Sequence, residues 1–196
     1  MMKKYILPAI ALLALASPVF AAQKKKDGGQ YANRGVAITD SRRTGLGLEY
    51  TSFDVEAGDL TTWSTGVMYA SEFWKTKGGT ILTLRLRAMY GQGEFEFGDF
   101  SEDVTTMEIG AGLDANYAIG EKTTAFVGPR IGYGQLGYDD GEDINLMKYG
   151  VAAGIRYQLE NQTSHIEFGI SHMWNDADGG DVGTSNSVYG AVYWEF

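Results

Sequence analysis

The chain has no cysteine, only two histidines and three prolines in 196 residues, and more acids than bases, 25 against 16. Without cysteine there is neither a disulfide framework nor a thiolate metal centre. His165 and His172 stand too far apart to form a zinc site by themselves. A formal charge of −9 argues against a protein that coats nucleic-acid phosphates. Glycine pairs such as Gly91-Gln92-Gly93 and Gly179-Gly180 precede no helical pattern, so a phosphate cradle has no support. After the first 21 residues no apolar run is long enough for a spanning helix. These absences do not exclude a membrane barrel, because alternation of apolar and polar residues hides its lipid face within a mean hydropathy of −0.20.

The residues that are present divide the chain in three. Residues 1–21 place Lys3 and Lys4 before the apolar run Tyr5–Ala16 and end in Val19-Phe20-Ala21, which reads as a secretory signal peptide cleaved after Ala21. Residues 22–41 are polar and aperiodic, with Lys24, Lys25 and Lys26, and read as a flexible periplasmic arm. Residues 42–196 alternate with period two, the mark of strands with one apolar and one polar face. Met107, Ile109, Ala111, Leu113, Ala115 and Tyr117 interleave with Glu108, Gly110, Gly112, Asp114 and Asn116; Met147 to Tyr157 repeats the pattern. Eight such segments of about ten residues can be counted, each rising roughly 25 Å when tilted, the height of a lipid-facing band. Aromatics collect at their ends, among them Trp63, Phe73, Trp74, Tyr90, Tyr133, Trp174 and Trp194. Short connections near 120–122 and 160–163 alternate with long ones at 91–104, 134–145 and 175–186. The expectation is an all-β, eight-stranded antiparallel up-and-down transmembrane β-barrel, with a bulge or break at Pro129.

At this point the chain resembles the small eight-stranded outer-membrane barrels, the group of the OmpA transmembrane domain, OmpX and Ail. The match is most specific in Val188-Tyr189-Gly190-Ala191-Val192-Tyr193-Trp194-Glu195-Phe196, and Phe126–Gly134 is also similar. The resemblance implies a bacterial outer-membrane location among lipid and lipopolysaccharide. It also implies that Val192, Trp194 and Phe196 are the signal read by the barrel-assembly machinery. A soluble lipocalin-like barrel is the fold-level rival, and it would point its apolar face inward.

If the apolar face meets lipid, the lumen receives Glu49, Glu72, Arg85, Arg87, Glu108, Asp114, Arg130, Lys148, Arg156, Glu167 and Glu195. A barrel of this size is filled by its own side chains, so the expectation is a paired, closed interior, with Arg87 opposite Glu108 and Arg156 opposite Glu167. A narrow ion-conducting channel is the alternative. The outer connectors, at 54–60 and the three long segments, carry fifteen acids and no lysine or arginine. Arg42, Arg43, Lys75, Lys77 and Lys122 fall instead to the arm and the periplasmic turns. Asp139, Asp140, Glu142 and Asp143, and Asp176, Asp178 and Asp181, are hard-cation ligands in type, suited to calcium or magnesium, although solvated acidic loops are the commoner explanation. No organic cofactor is implied. Phe95, Phe97 and Phe100 either pack together to order their loop or anchor a host or surface ligand. The role that follows is envelope structure or surface adhesion.

Ser171-His172-Met173-Trp174-Asn175 is loosely similar to the penultimate strand of the PagL lipid A deacylases. That family needs a serine where Trp174 stands and an acid where Asn186 stands, so a degenerate relative without its nucleophile is the furthest this reading extends. Nothing else suggests an enzyme.

Overall fold

The computed structural model describes residues 41–196, apart from 56, 57, 77, 78, 99, 139, 140, 142, 161, 162, 178 and 179 and the side chains at 55, 100 and 181. The signal segment and nearly all of the arm lie outside the described residues. Eight strands follow in order: β1 (Arg42–Val55), β2 (Gly58–Lys75), β3 (Ile81–Phe97), β4 (Phe100–Ala118), β5 (Thr123–Tyr138), β6 (Ile144–Gln158), β7 (Ser164–Ala177) and β8 (Gly180–Glu195). Each pairs antiparallel with its sequence neighbour, and β1 pairs with β8 to close the barrel. Closure leaves no strand edge through the body of the wall, which is what a barrel in hydrocarbon requires.

The strands run to between 14 and 19 residues, longer than the ten or so read from the alternation. Here the structure corrects the expectation of long outer loops. Most of 91–104 is paired strand, with Phe97 opposite Phe100, and only a two-residue turn remains. Gly98 takes φ 60° in that turn, a left-handed conformation that glycine adopts without strain. Likewise Leu136 pairs with Ile144, and Ala177 with Gly180. The polar composition of these stretches reads as loop, yet a hairpin standing in water can be polar on its outward face and still keep its ladder.

Pro129 is also corrected in part. No bulge forms there: β4 and β5 keep one register from Gly112 opposite Arg130 to Ala115 opposite Val127, skipping two rungs. Gly128 approaches the Leu113 and Asp114 backbone so closely that a Cβ would collide with it. The register shifts lie elsewhere, between Glu72 and Trp74 and between Asn175 and Asp176. The first lets consecutive Phe73 and Trp74 both face outward, 40% and 43% exposed.

The wall is inverted relative to a water-soluble protein. Leu46, Leu48, Leu86, Ile109, Val127, Ile131, Val151, Ile155, Phe168, Ile170 and Val188 all stand exposed on the outer surface. Trp63, Tyr90, Tyr133, Tyr149 and Trp174 ring this belt toward the hairpin end; Trp74, Tyr117, Tyr157, Trp194 and Phe196 ring it toward the end bearing the termini. From Tyr149 to Tyr157 along β6 the belt rises about 20 Å at ordinary strand tilt. This orientation excludes the lipocalin-like arrangement. Many inward positions are occupied by charged, hydroxyl and glycine residues, with two clusters of buried apolar side chains among them. Glycine makes room there: a Cβ on Gly169 would strike the Tyr189 ring, and one on Gly112 the Arg130 guanidinium.

Candidate functional site

The lumen is crossed by an interlocked set of ion pairs. Near the middle, Arg85 donates through Nε to Asp114 and through Nη1 and Nη2 to the two oxygens of Glu167, at 2.5 and 2.7 Å. Its Nη1 also reaches the Tyr193 hydroxyl at 3.0 Å, and its guanidinium lies 4.5 Å over the Phe126 ring. Arg156 donates to the same Glu167 through Nε and Nη2, at 3.1 and 2.9 Å. Arg130 Nη1 lies 2.5 Å from Asp114. Asp114 and Glu167 are fully buried, so carboxylates without these cations would be prohibitively costly there.

A second set lies nearer the hairpin end. Arg87 bridges Glu49, at 2.7 Å, and Glu108, while Lys148 Nζ holds the other Glu108 oxygen at 2.5 Å. The expected pair of Arg87 with Glu108 is therefore made, but diagonally: Arg87 stands opposite Gly110, and Met89 opposite Glu108. The two-residue difference arises because the β3–β4 turn sits at 98–99, a position that the sequence pattern alone does not fix. Arg156 does stand opposite Glu167. At the terminal end Glu195 lies 3.5 Å from His165 Nε2.

Three features of this interior are not among the sequence expectations. Arg43, assigned there to the arm and periplasmic turns, is 3% exposed inside the barrel, and its Nη2 is 2.5 Å from Glu72. Its parity with Glu49 along β1 was the available signal. Phe126, Tyr189 and Tyr193 face inward with Met68 and Met89 and fill the space around Arg85. Above Lys148, whose Nζ is 5.2 Å from the Phe53 ring, Phe53, Leu60, Val104, Leu136 and Leu146 form an apolar cap.

That cap places the loop phenylalanines. Phe95 points inward, packs on the cap and meets Tyr138 edge-on at 6.4 Å between ring centres, so it orders the hairpin. Phe97 stands 60% exposed at the tip, and the Phe100 side chain lies outside the described residues. Burial, followed by the nearby charge of Glu102, pushes the Tyr138 phenol above its ordinary pKa.

The pairing also gathers acids that the sequence distributes between two connectors. Asp54 stands opposite Asp59 and Asp59 opposite Glu96, a row of three exposed carboxylates across β1, β2 and β3. Glu94 faces Asp103 in the adjoining hairpin. Like charges directly opposite oppose sheet formation. Of the cation candidates, Asp143 accepts a hydrogen bond from Gln135 at 3.0 Å, and Asp176 is partly buried at the β7 end. Asp139, Asp140, Glu142 and Asp178, and the Asp181 side chain, lie outside the described residues. Among the described residues no group of three His, Asp or Glu side chains is placed to hold a metal ion.

On the outward face His172 Nδ1 is 2.8 Å from Asn186 Oδ1, brought together by direct pairing of β7 and β8. Its ring stands edge-on to Trp174 at 4.9 Å, and Trp174 stacks on Tyr149 at 5.8 Å. Two of the three deacylase positions are thus adjacent in space, and the third carries an indole, which is no nucleophile. Val192, Trp194 and Phe196 face outward at the terminal end.

No family model matches the chain, and no curated protein matches it in sequence. Its fold is similar to that of solved barrels. Neisserial surface protein A aligns over 83% of this chain and 100% of its own, at 13% identity and a TM-score of 0.62. Ail, the attachment invasion locus protein of Yersinia pestis, aligns over 81% of this chain and 100% of its own, at 11% identity and a TM-score of 0.48. The architecture is that of a small eight-stranded outer-membrane barrel.

Proposed function

We propose that the chain is an integral outer-membrane protein, exported through a cleaved leader, whose closed barrel is a scaffold for an acidic outward-facing rim. The inverted wall carries this reading: an apolar belt with aromatic rings at both edges surrounds a lumen of paired charges. In water the belt would be an aggregating patch far beyond what a soluble monomer exposes. In a bilayer it is the favoured surface, and Val192, Trp194 and Phe196 present its last strand to the assembly machinery. The ion pairs and the apolar cap argue for a sealed lumen and against a standing conductance.

The rim supports a role in envelope structure and surface interaction. Asp54, Asp59 and Glu96 repel one another where neutral residues would hold the sheet better. A cost retained there suits a surface that meets cations or a basic partner, beside lipopolysaccharide phosphates that share its charge. Extraction from the envelope only by detergent, with heat-modifiable gel migration, tests the membrane assignment. Release as a soluble protein contradicts it. Replacing Asp54, Asp59 and Glu96 with Asn together should weaken binding to cationic surfaces while the barrel keeps its heat-modifiable form; unchanged binding removes the rim from the account.

A further inference from the structure

The middle ion-pair set is short of negative charge. Among the described residues Arg85, Arg130 and Arg156 share two carboxylates, Asp114 and Glu167. Arg85 donates one bond to Asp114 and two to Glu167, Arg156 donates to Glu167, and Arg130 is left with a share of Asp114 and donates to the Pro129 carbonyl at 3.0 Å. The Arg130 side chain is only 9% exposed, and its Nη2 has no hydrogen-bond partner among the described residues. The Ser171 hydroxyl, equally buried, has none either. Both residues line one cavity of about 30 Å³, together with Arg85, Arg87, Tyr189 and Tyr193. Among the described residues no carboxylate lines it. Gly112 keeps the space open, since a Cβ there would run into the Arg130 guanidinium.

We propose that this cavity is a binding site for a monatomic anion, a halide of the size of chloride or bromide, held by Arg130 Nη2 and the Ser171 hydroxyl. The lining fits the class. Arg130 Nη2 and the Ser171 hydroxyl offer donors, the Arg85 and Arg87 guanidiniums add positive charge although their own N–H groups are engaged by carboxylates, and low-dielectric walls strengthen the pull on a negative charge. The volume admits a particle of about one to two waters and rejects sulfate or phosphate. Occupancy satisfies both orphaned donors, which are otherwise left buried without a partner. The bound ion also compensates the third arginine and locks the network that seals the lumen.

The test uses the full barrel purified in detergent. Crystals grown in bromide should show an anomalous peak between Arg130 and Ser171, and the unfolding midpoint should be higher in chloride or bromide than in gluconate at equal ionic strength. Ser171→Ala removes one donor without touching an ion pair, and should weaken the halide dependence about tenfold. Arg130→Gln should abolish the peak. An ordered water in the cavity with no anomalous signal, or identical midpoints in chloride and gluconate, overturns the proposal.

Discussion

The two faces of β4 carry opposite chemistry on one stretch of backbone. Ile109 and Leu113 stand out into the surroundings, while Glu108 and Asp114 are turned into the barrel and held by cations. A soluble protein would reverse the two sets. On the proposed membrane assignment each face answers a different solvent, hydrocarbon outside and a small volume of fixed charges within. Stability should therefore respond in opposite ways to the same substitution on the two faces.

The largest effect belongs to the lumen. Glu167→Gln removes the shared partner of Arg85 and Arg156 and leaves two buried guanidiniums short of charge. It should cost about 3–5 kcal/mol in reversible denaturant unfolding from lipid or detergent. A smaller cost would mean that water reaches these groups. Glu108→Gln removes the charge that Arg87 and Lys148 share and leaves Arg87 with Glu49 alone; planar-bilayer recording should find the parent protein silent and this variant leaky. Long-lived, ion-selective openings in the parent would reverse the closed-lumen assignment.

On the outer face, Ile109→Arg near the middle of the belt should cost about 2–4 kcal/mol in a bilayer, an effect that fades toward the aromatic rings. At the rim the sign changes. Asp59→Asn relieves repulsion from Asp54 and Glu96 and should stabilise the protein by about 0.2–1 kcal/mol. Between these lies the hairpin tip. Phe95→Ser should speed amide exchange along the β3–β4 hairpin by unseating the cap, whereas Phe97→Ser should leave exchange unchanged.

How much of this the sequence held depends on which signal was local. Strand number, antiparallel order and facing were legible, because alternation such as Met107 to Tyr117 is read within one segment. Most lumen charges were legible by the same parity. Strand ends were not: Glu94, Glu96, Glu102 and Asp103 look like loop, and nothing local shows that a hairpin continues beyond the apolar belt. Register also depends on turn position, so Arg87 and Glu108 were placed two residues apart from their true rungs. Arg43 was missed because strong charge at the end of a polar segment resembles the arm. The row of Asp54, Asp59 and Glu96 exists only after three strands are laid side by side.

The native absence of cysteine permits single-cysteine spin labelling without background, and that is the most direct test of the inverted wall. Labels placed one at a time from position 107 to 117 should alternate: odd sites accessible to oxygen and shielded from a water-soluble relaxation agent in bilayers, even sites protected from both. If the odd sites instead relax with the water-soluble agent, the apolar belt does not face lipid and the membrane barrel is wrong.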